Sequence, residues 1–189
     1  MPGRIFTVLL DHAQRQYGYL TPEDARELDV DPTQLRLMAA RQTLEHLGHG
    51  LYRMPMVPAT KLDAYMEAVL WTGRRGVLSH ETALDLYELC DVNPSAIHLT
   101  VPSGFRTRKV VPEIYRLHRL DLDPVEVGWH EGIPIVTPER AILGGIEQAL
   151  GWQLIDQAIE TARARGLITK PAAKRLAAMR HLPQAARGG

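Results

Sequence analysis

Two helix-start signals ten residues apart, at Thr21 and Asp31, constrain this chain more than any other feature. Thr21-Pro22-Glu23-Asp24 supplies a capping hydroxyl, a proline at the first helical position and an acid three residues after the cap. Asp31-Pro32-Thr33-Gln34 repeats that order with a carboxylate cap and a glutamine. A helix does not run through Pro32, so two short helices are expected, one ending near Leu28 and one running to about Gln42, joined by a tight turn. Upstream, Ile5, Val8, Leu9 and Ala13 recur at three and four and mark a helix that ends before Gly18. Downstream, Leu44 to Leu47 and Leu51 to Met54 flank Gly48-His49-Gly50 and read as a small β-hairpin. Helix, tight turn, helix, hairpin is the order of a winged helix-turn-helix.

On the helix that begins at Thr33, 100° per residue puts Leu35, Met38, Ala39 and Gln42 on one side and Thr33, Arg36, Leu37, Ala40 and Arg41 on the other. The first set is expected to face the core. The second is then a reading face, with Arg36 and Arg41 able to reach guanine edges or phosphates, and Thr33 and Gln34 near the helix start where such helices meet base edges. The hairpin would add His46, His49 and Arg53. Residues 1–54 nevertheless sum to a net charge of −1, so DNA affinity requires charge to be separated in space, and a protein-contact role for such a segment stays open.

Charge is indeed laid out in blocks. The chain carries 22 basic and 22 acidic side chains, yet residues 23–31 sum to −4, 33–54 to +2, 103–119 to +4 and 120–160 to −7, while 161–189 hold seven basic residues and no acid. A neutral protein built this way can present a local positive face to a polyanion; solvated helix faces of differing sign give the same pattern.

Pro55 and Pro58 in PMVPAT form the clearest internal breaker. The expected division is a winged helix-turn-helix DNA-binding domain over 1–56, a mixed α/β domain over 61–182, and a flexible tail over 183–189, an α+β protein as a whole. In the second domain an amphipathic helix (Leu62, Tyr65, Met66, Val69, Leu70) breaks at Thr72 to Gly76, and a further helix runs from a Ser79 cap to Leu89. Residues 97–101 alternate as a strand, and so do 110–111 and 114–118; between them lies a basic loop with Arg106, Arg108 and Lys109. A hairpin over 125–136 turns at Glu131-Gly132, and helices follow from a Thr137 cap to Leu150, over 152–165 and over 171–182. Trp71, Trp129 and Trp152 sit at element ends and read as core edges.

Length and composition set outer bounds. With 189 residues and 45% apolar content the chain can bury a substantial core without disulfides or metals, and Cys90 as the single cysteine leaves no intramolecular disulfide and no CxxC site. That usage suits a reducing cytoplasm. The apolar stretch from Ile5 to Leu10 is too short for a signal peptide core or a membrane span. No phosphate-binding GxxxxGK[ST], dinucleotide GxGxxG, zinc-protease HExxH, esterase GxSxG or kinase motif is present, and the eight histidines are scattered, with only His46 and His49 close together. Ser79-His80 pairs a nucleophile with a base, but at a helix start the serine reads as a cap; His98, alternating with Ile97 and Leu99, reads as a partnered strand histidine. No catalytic residue, metal site or cofactor is therefore assigned.

The segment GYLTPEDARELDVDPTQLRLMAARQTLEHLGHGLYRMP resembles the winged helix of AbiEi-type antitoxins. GVLSHETALDLYEL, IHLTVPSGFRTRK and GIPIVTPERAIL extend the resemblance, in order, over about residues 4–180. The resemblance implies a transcriptional autorepressor that binds inverted repeats in double-stranded promoter DNA, in one or two copies, and neutralises a co-encoded nucleotidyltransferase-like toxin. It places DNA contact on Thr33, Gln34, Arg36, Arg41, His49 and Arg53, and draws attention to the surface around Arg106, Arg108 and Lys109. The chain departs from the pattern at Gly144, where many relatives carry an aspartate. A second reading gives the C-terminal domain an enzymatic action on the toxin, such as covalent modification; no motif supports it.

Overall fold

The computed structural model describes residues 3–48 and 50–179, and the expected tail over 183–189 lies outside them. Within them the protein is a mixed α+β chain with two sheets, in two compact units, Met1–Arg75 and Gly76–Gly189.

In the first unit, α1 (Arg4–Gln14) leads through β1 (Tyr19–Leu20) to α2 (Pro22–Glu27) and α3 (Thr33–Ala40), then to β2 (Glu45–Gly48), β3 (Leu51–Arg53) and α4 (Asp63–Trp71). The three strands form an antiparallel sheet in the order β1-β3-β2. Gly48 and Gly50 bracket the turn with φ of 97° and 78°, which L-residues rarely adopt. Leu9, Leu20, Leu35, Leu44, Tyr52 and Met54 form a continuous core beneath these elements. Burying each such leucine contributes about 1.5–3 kcal/mol.

The two helix starts behave differently. Thr21 makes the full capping box, its Oγ1 accepting from the Asp24 amide while the Asp24 carboxylate accepts from the Thr21 amide at 2.6 Å. Asp31 instead accepts from the Thr33 amide at 2.8 Å, and Pro32 stands at the cap position with helical φ and ψ, so Gln34 closes no box.

Asp24 is fully buried and does more than cap. Its oxygens also accept from Thr21 Oγ1 at 2.8 Å and Gln16 Nε2 at 3.0 Å, pair with Arg74, and lie 3.0 Å from His12 Nε2. Burial alone would raise its pKa, but the Thr21 hydrogen bonds, the Arg74 guanidinium and Gln16 outweigh burial and hold it below the usual 3.8. The Arg74 pair, with Arg53 to Asp63 at 3.0 Å and Tyr19 Oη donating to Glu67 at 3.0 Å, ties α4 and the residues after it to the preceding fold. For that reason the compact unit continues past the Pro55–Pro58 breaker as far as Arg75.

The second unit is built on a five-stranded sheet, β6-β5-β4-β8-β7. Its strands are β4 (Val77–Leu78), β5 (Ile97–Val101), β6 (Tyr115–Arg119), β7 (Val127–His130) and β8 (Ile133–Val136), with a 3₁₀ turn over Pro124–Glu126 before β7. Strand β5 runs antiparallel to β4 and parallel to β6, so residues 102–114 form a crossover, and Val110 and Val111 are not in a strand. All five residues of β5 are buried. Helices α5 (His80–Leu86), α6 (Pro138–Glu147), α7 (Trp152–Ala164) and α8 (Lys170–Ala178) pack one on the next. Thr137 Oγ1 accepts from the Arg140 amide, the cap that the sequence predicts, and Thr169 caps α8 in the same way, accepting from the Ala172 amide. Trp129, expected at a core edge, is 72% exposed on the outer strand β7.

Replacing Asp24 with alanine should cost the first unit about 3 kcal/mol, the low end for breaking a buried ion pair because Arg74 can turn to water. Because the folded carboxyl titrates below 3.8, its contribution is fully present above that pH and is lost as pH falls beneath it. Urea melts of wild type and Asp24→Ala, compared at neutral and at acid pH, should therefore converge in acid.

Candidate nucleic-acid interface and a histidine cluster

Helix α3 buries Leu35 and half-buries Met38 and Ala39, and exposes Thr33, Arg36, Leu37 and Ala40, with Arg41 exposed at the C-cap; Gln34 is half-buried at the helix start. Gln42, expected on the core side, is exposed beyond the helix end with φ of 61°. The 3.6-residue period thus separates the two faces as far as Ala40. Thr33 and Arg36 are exposed on the helix, and Arg41 is exposed at its C-cap.

Arg53 is placed otherwise. Its Nη2 donates to Asp63 Oδ2 at 3.0 Å and to the Val57 carbonyl at 3.2 Å, so its charge is compensated within the fold. His46 is exposed on β2 and stacks on Tyr52 with ring centroids 4.8 Å apart. His49 lies outside the described residues.

In the second unit, the basic loop is anchored by buried Phe105 and by Ser103, whose amide and hydroxyl donate to Asp121. Arg106 turns its Nη1 onto the carbonyls of Ser103 and Phe105, at 3.3 and 3.0 Å. Arg108 is exposed, while Lys109 is half-buried, which lowers its pKa. Of the three, Arg108 presents its charge most openly.

Three histidines that the sequence leaves far apart meet on one face of the large sheet. The β5–β6 register opposes His98 to Arg116, so His118, two residues on, points to the same side as His98. His98 Nδ1 and His118 Nε2 are 3.0 Å apart. His80 lies two residues beyond β4, at the start of α5, and its ring stacks on His118 with centroids 3.6 Å apart. One nitrogen from each of the three rings lies within 4.8 Å of the others.

Ser79 stands at the N-cap position of α5 but its side chain caps nothing; its Oγ lies 2.8 Å from His80 Nδ1. His80 itself has φ of 52°, a left-handed conformation that strains a residue with a side chain by about 1–3 kcal/mol. Across the ring lies Gly144 of α6, where an added Cβ would stand 2.9 Å from His80 Cδ2. The aspartate that the resemblance led one to expect at this position would collide with the imidazole.

Burial, then the neighbouring His118 and His98 and the Arg140 charge, pushes His80 down to about 2. Burial, His98 and Arg140 push His118 down to about 4. Burial and Arg116 lower His98 against an opposing pull from Glu81. All three rings are therefore neutral near pH 7. His80 and His118 line an open cleft of about 440 Å³ with Arg140 and Glu147, whose side chains pair through two hydrogen bonds of 3.0 and 2.6 Å.

The fold class is thus a two-unit α+β protein whose first unit exposes a basic helix face. Residues 8–55 match a family model described as transcriptional regulator, AbiEi antitoxin, which bears out the resemblance over that segment. No curated protein sequence matches the chain. Among solved structures it is similar to the crystal structure of the RV2827C protein from Mycobacterium tuberculosis, at 16% identity and a TM-score of 0.59, over 97% of this chain and 73% of that one. At this identity the likeness is one of fold.

The packing of His80 between Gly144 and His118 generates a direct test. Gly144→Ala forces a methyl group against the ring and should destabilise the protein by about 1–3 kcal/mol, read by chemical denaturation. An equal or higher midpoint would show that the ring has room to move.

Proposed function

We propose that this protein is a DNA-binding transcriptional regulator and antitoxin that works in the cytoplasm. The single observation that carries this reading is the exposed face of α3, with Thr33, Arg36 and Arg41 free of the core, inside the segment that matches an AbiEi antitoxin regulator model. In this reading the first unit is a winged helix-turn-helix. Helix α3 enters the major groove, Thr33 and Gln34 lie near base edges at its start, Arg36 and Arg41 contact guanine or phosphate, and the β2–β3 hairpin with His49 is the wing. Arg53 supports the hairpin through Asp63 rather than adding a free charge.

The finer parts of the proposal follow from the resemblance: promoter DNA with inverted repeats as the site, two copies on that DNA, and neutralisation of a co-encoded nucleotidyltransferase-like toxin through the second unit. Arg106, Arg108 and Lys109 form a second contact candidate, with Arg108 the most open. Among the described residues no helix is long and apolar enough to cross a membrane. A protein-contact role for α3 and the hairpin draws support from Leu37 on α3 and Leu47 on β2, which are 46% and 45% exposed.

Fluorescence anisotropy of duplex DNA from just upstream of the gene, against a scrambled duplex, separates these readings. Specific binding should weaken by about 1–3 kcal/mol in Arg36→Ala if that arginine reads a base, and log K should fall with log salt by about 0.9 per neutralised phosphate. Equal, weak binding to both duplexes would assign α3 to protein contact.

A further inference from the structure

We propose that His80, His98 and His118 form a binding site for a divalent transition-metal ion of the zinc class. Imidazole is a ligand of choice for such ions, and it binds them only when neutral. One nitrogen from each of the three rings already lies within 4.8 Å of the others. At metal–nitrogen distances of about 2.0–2.1 Å, tetrahedral ligand nitrogens stand roughly 3.4 Å apart, so modest side-chain rotation closes the site. His98 Nδ1 and His118 Nε2, at 3.0 Å, are there already. They now share one N–H proton; on coordination that proton moves to the far nitrogen of its own ring, and the metal takes both lone pairs.

Two independent features point the same way. Ser79 gives up helix capping to hold His80 Nδ1, and an N–H donated to the serine oxygen leaves the lone pair on His80 Nε2 for a metal. Metal-bound histidines are oriented by such a hydrogen bond at the other ring nitrogen. His80 also keeps a left-handed backbone where glycine would relieve the strain, and Gly144 leaves α6 without a side chain where the ring packs. Two buried imidazoles and a half-buried one, with a single contact among their ring nitrogens, make a poorer core than apolar side chains of the same volume. A structural role alone does not account for them.

The charges around the cluster permit a cation. Arg140 is offset by its paired Glu147 and by Glu126 at 3.9 Å, Glu81 pulls in favour of positive charge at His98, and Arg116 opposes it. The cleft beside His80 and His118 leaves a coordination position for water or an anionic group, the arrangement of an open three-histidine site.

The test uses the untagged full chain, stripped with a chelator, desalted and titrated with Co²⁺ alone and with Zn²⁺ against a chromophoric competitor. One equivalent should bind, with visible d–d absorption from cobalt of low coordination number. His118→Gln, on the outer strand β6, and Ser79→Ala, which keeps all three rings, should each weaken binding about tenfold or more, while His130→Gln should leave it unchanged. Circular dichroism reports whether each variant is folded. Absence of stoichiometric binding, or wild-type affinity in folded His118→Gln and Ser79→Ala, would overturn the site.

Discussion

A fully buried carboxylate, Asp24, organises the first unit. An ionised carboxylate in an apolar interior is unfavourable by several kcal/mol unless donors surround it. Here they come from α1 through His12, from the turn after it through Gln16, from the cap of α2 through Thr21, and from Arg74 beyond α4. Satisfying one side chain therefore sets where three helices meet.

The second unit solves a different problem. Its large sheet buries β5 on both faces, yet admits histidines at positions 98 and 118 and receives His80 from the end of β4. A cluster of neutral imidazoles replaces the expected serine cap as the organising feature at the start of α5. Glycine at 144 is the complementary change on α6, since the ring occupies the volume a side chain would need.

Much of the first unit was legible because its determinants are local. The Thr21 capping box, the period of α3 and the glycine turn each act within a few residues, and the observed elements match them. What local reading missed depends on distant partners. Arg74 reaches Asp24 across 50 positions and Asp63 reaches Arg53 across ten, which carries the unit past its proline breaker and compensates an arginine that had read as a free wing charge. The histidine cluster was hidden for the same reason. His98 and His118 each sit in a readable strand, but only the parallel register of β5 and β6 sets them on one face, and the segment between them gives no sign that it crosses over. The Ser79-His80 pair was the available signal, and the helix-cap explanation masked it.

The central claim is that α3 and the adjoining hairpin are the surface this protein offers to its operator. Amide chemical-shift mapping of the full chain, titrated with the upstream duplex, tests it most directly. The account predicts that perturbations concentrate in residues 33–41 and in the β2–β3 hairpin. Perturbations confined to the second unit, with α3 unmoved at saturation, would contradict it.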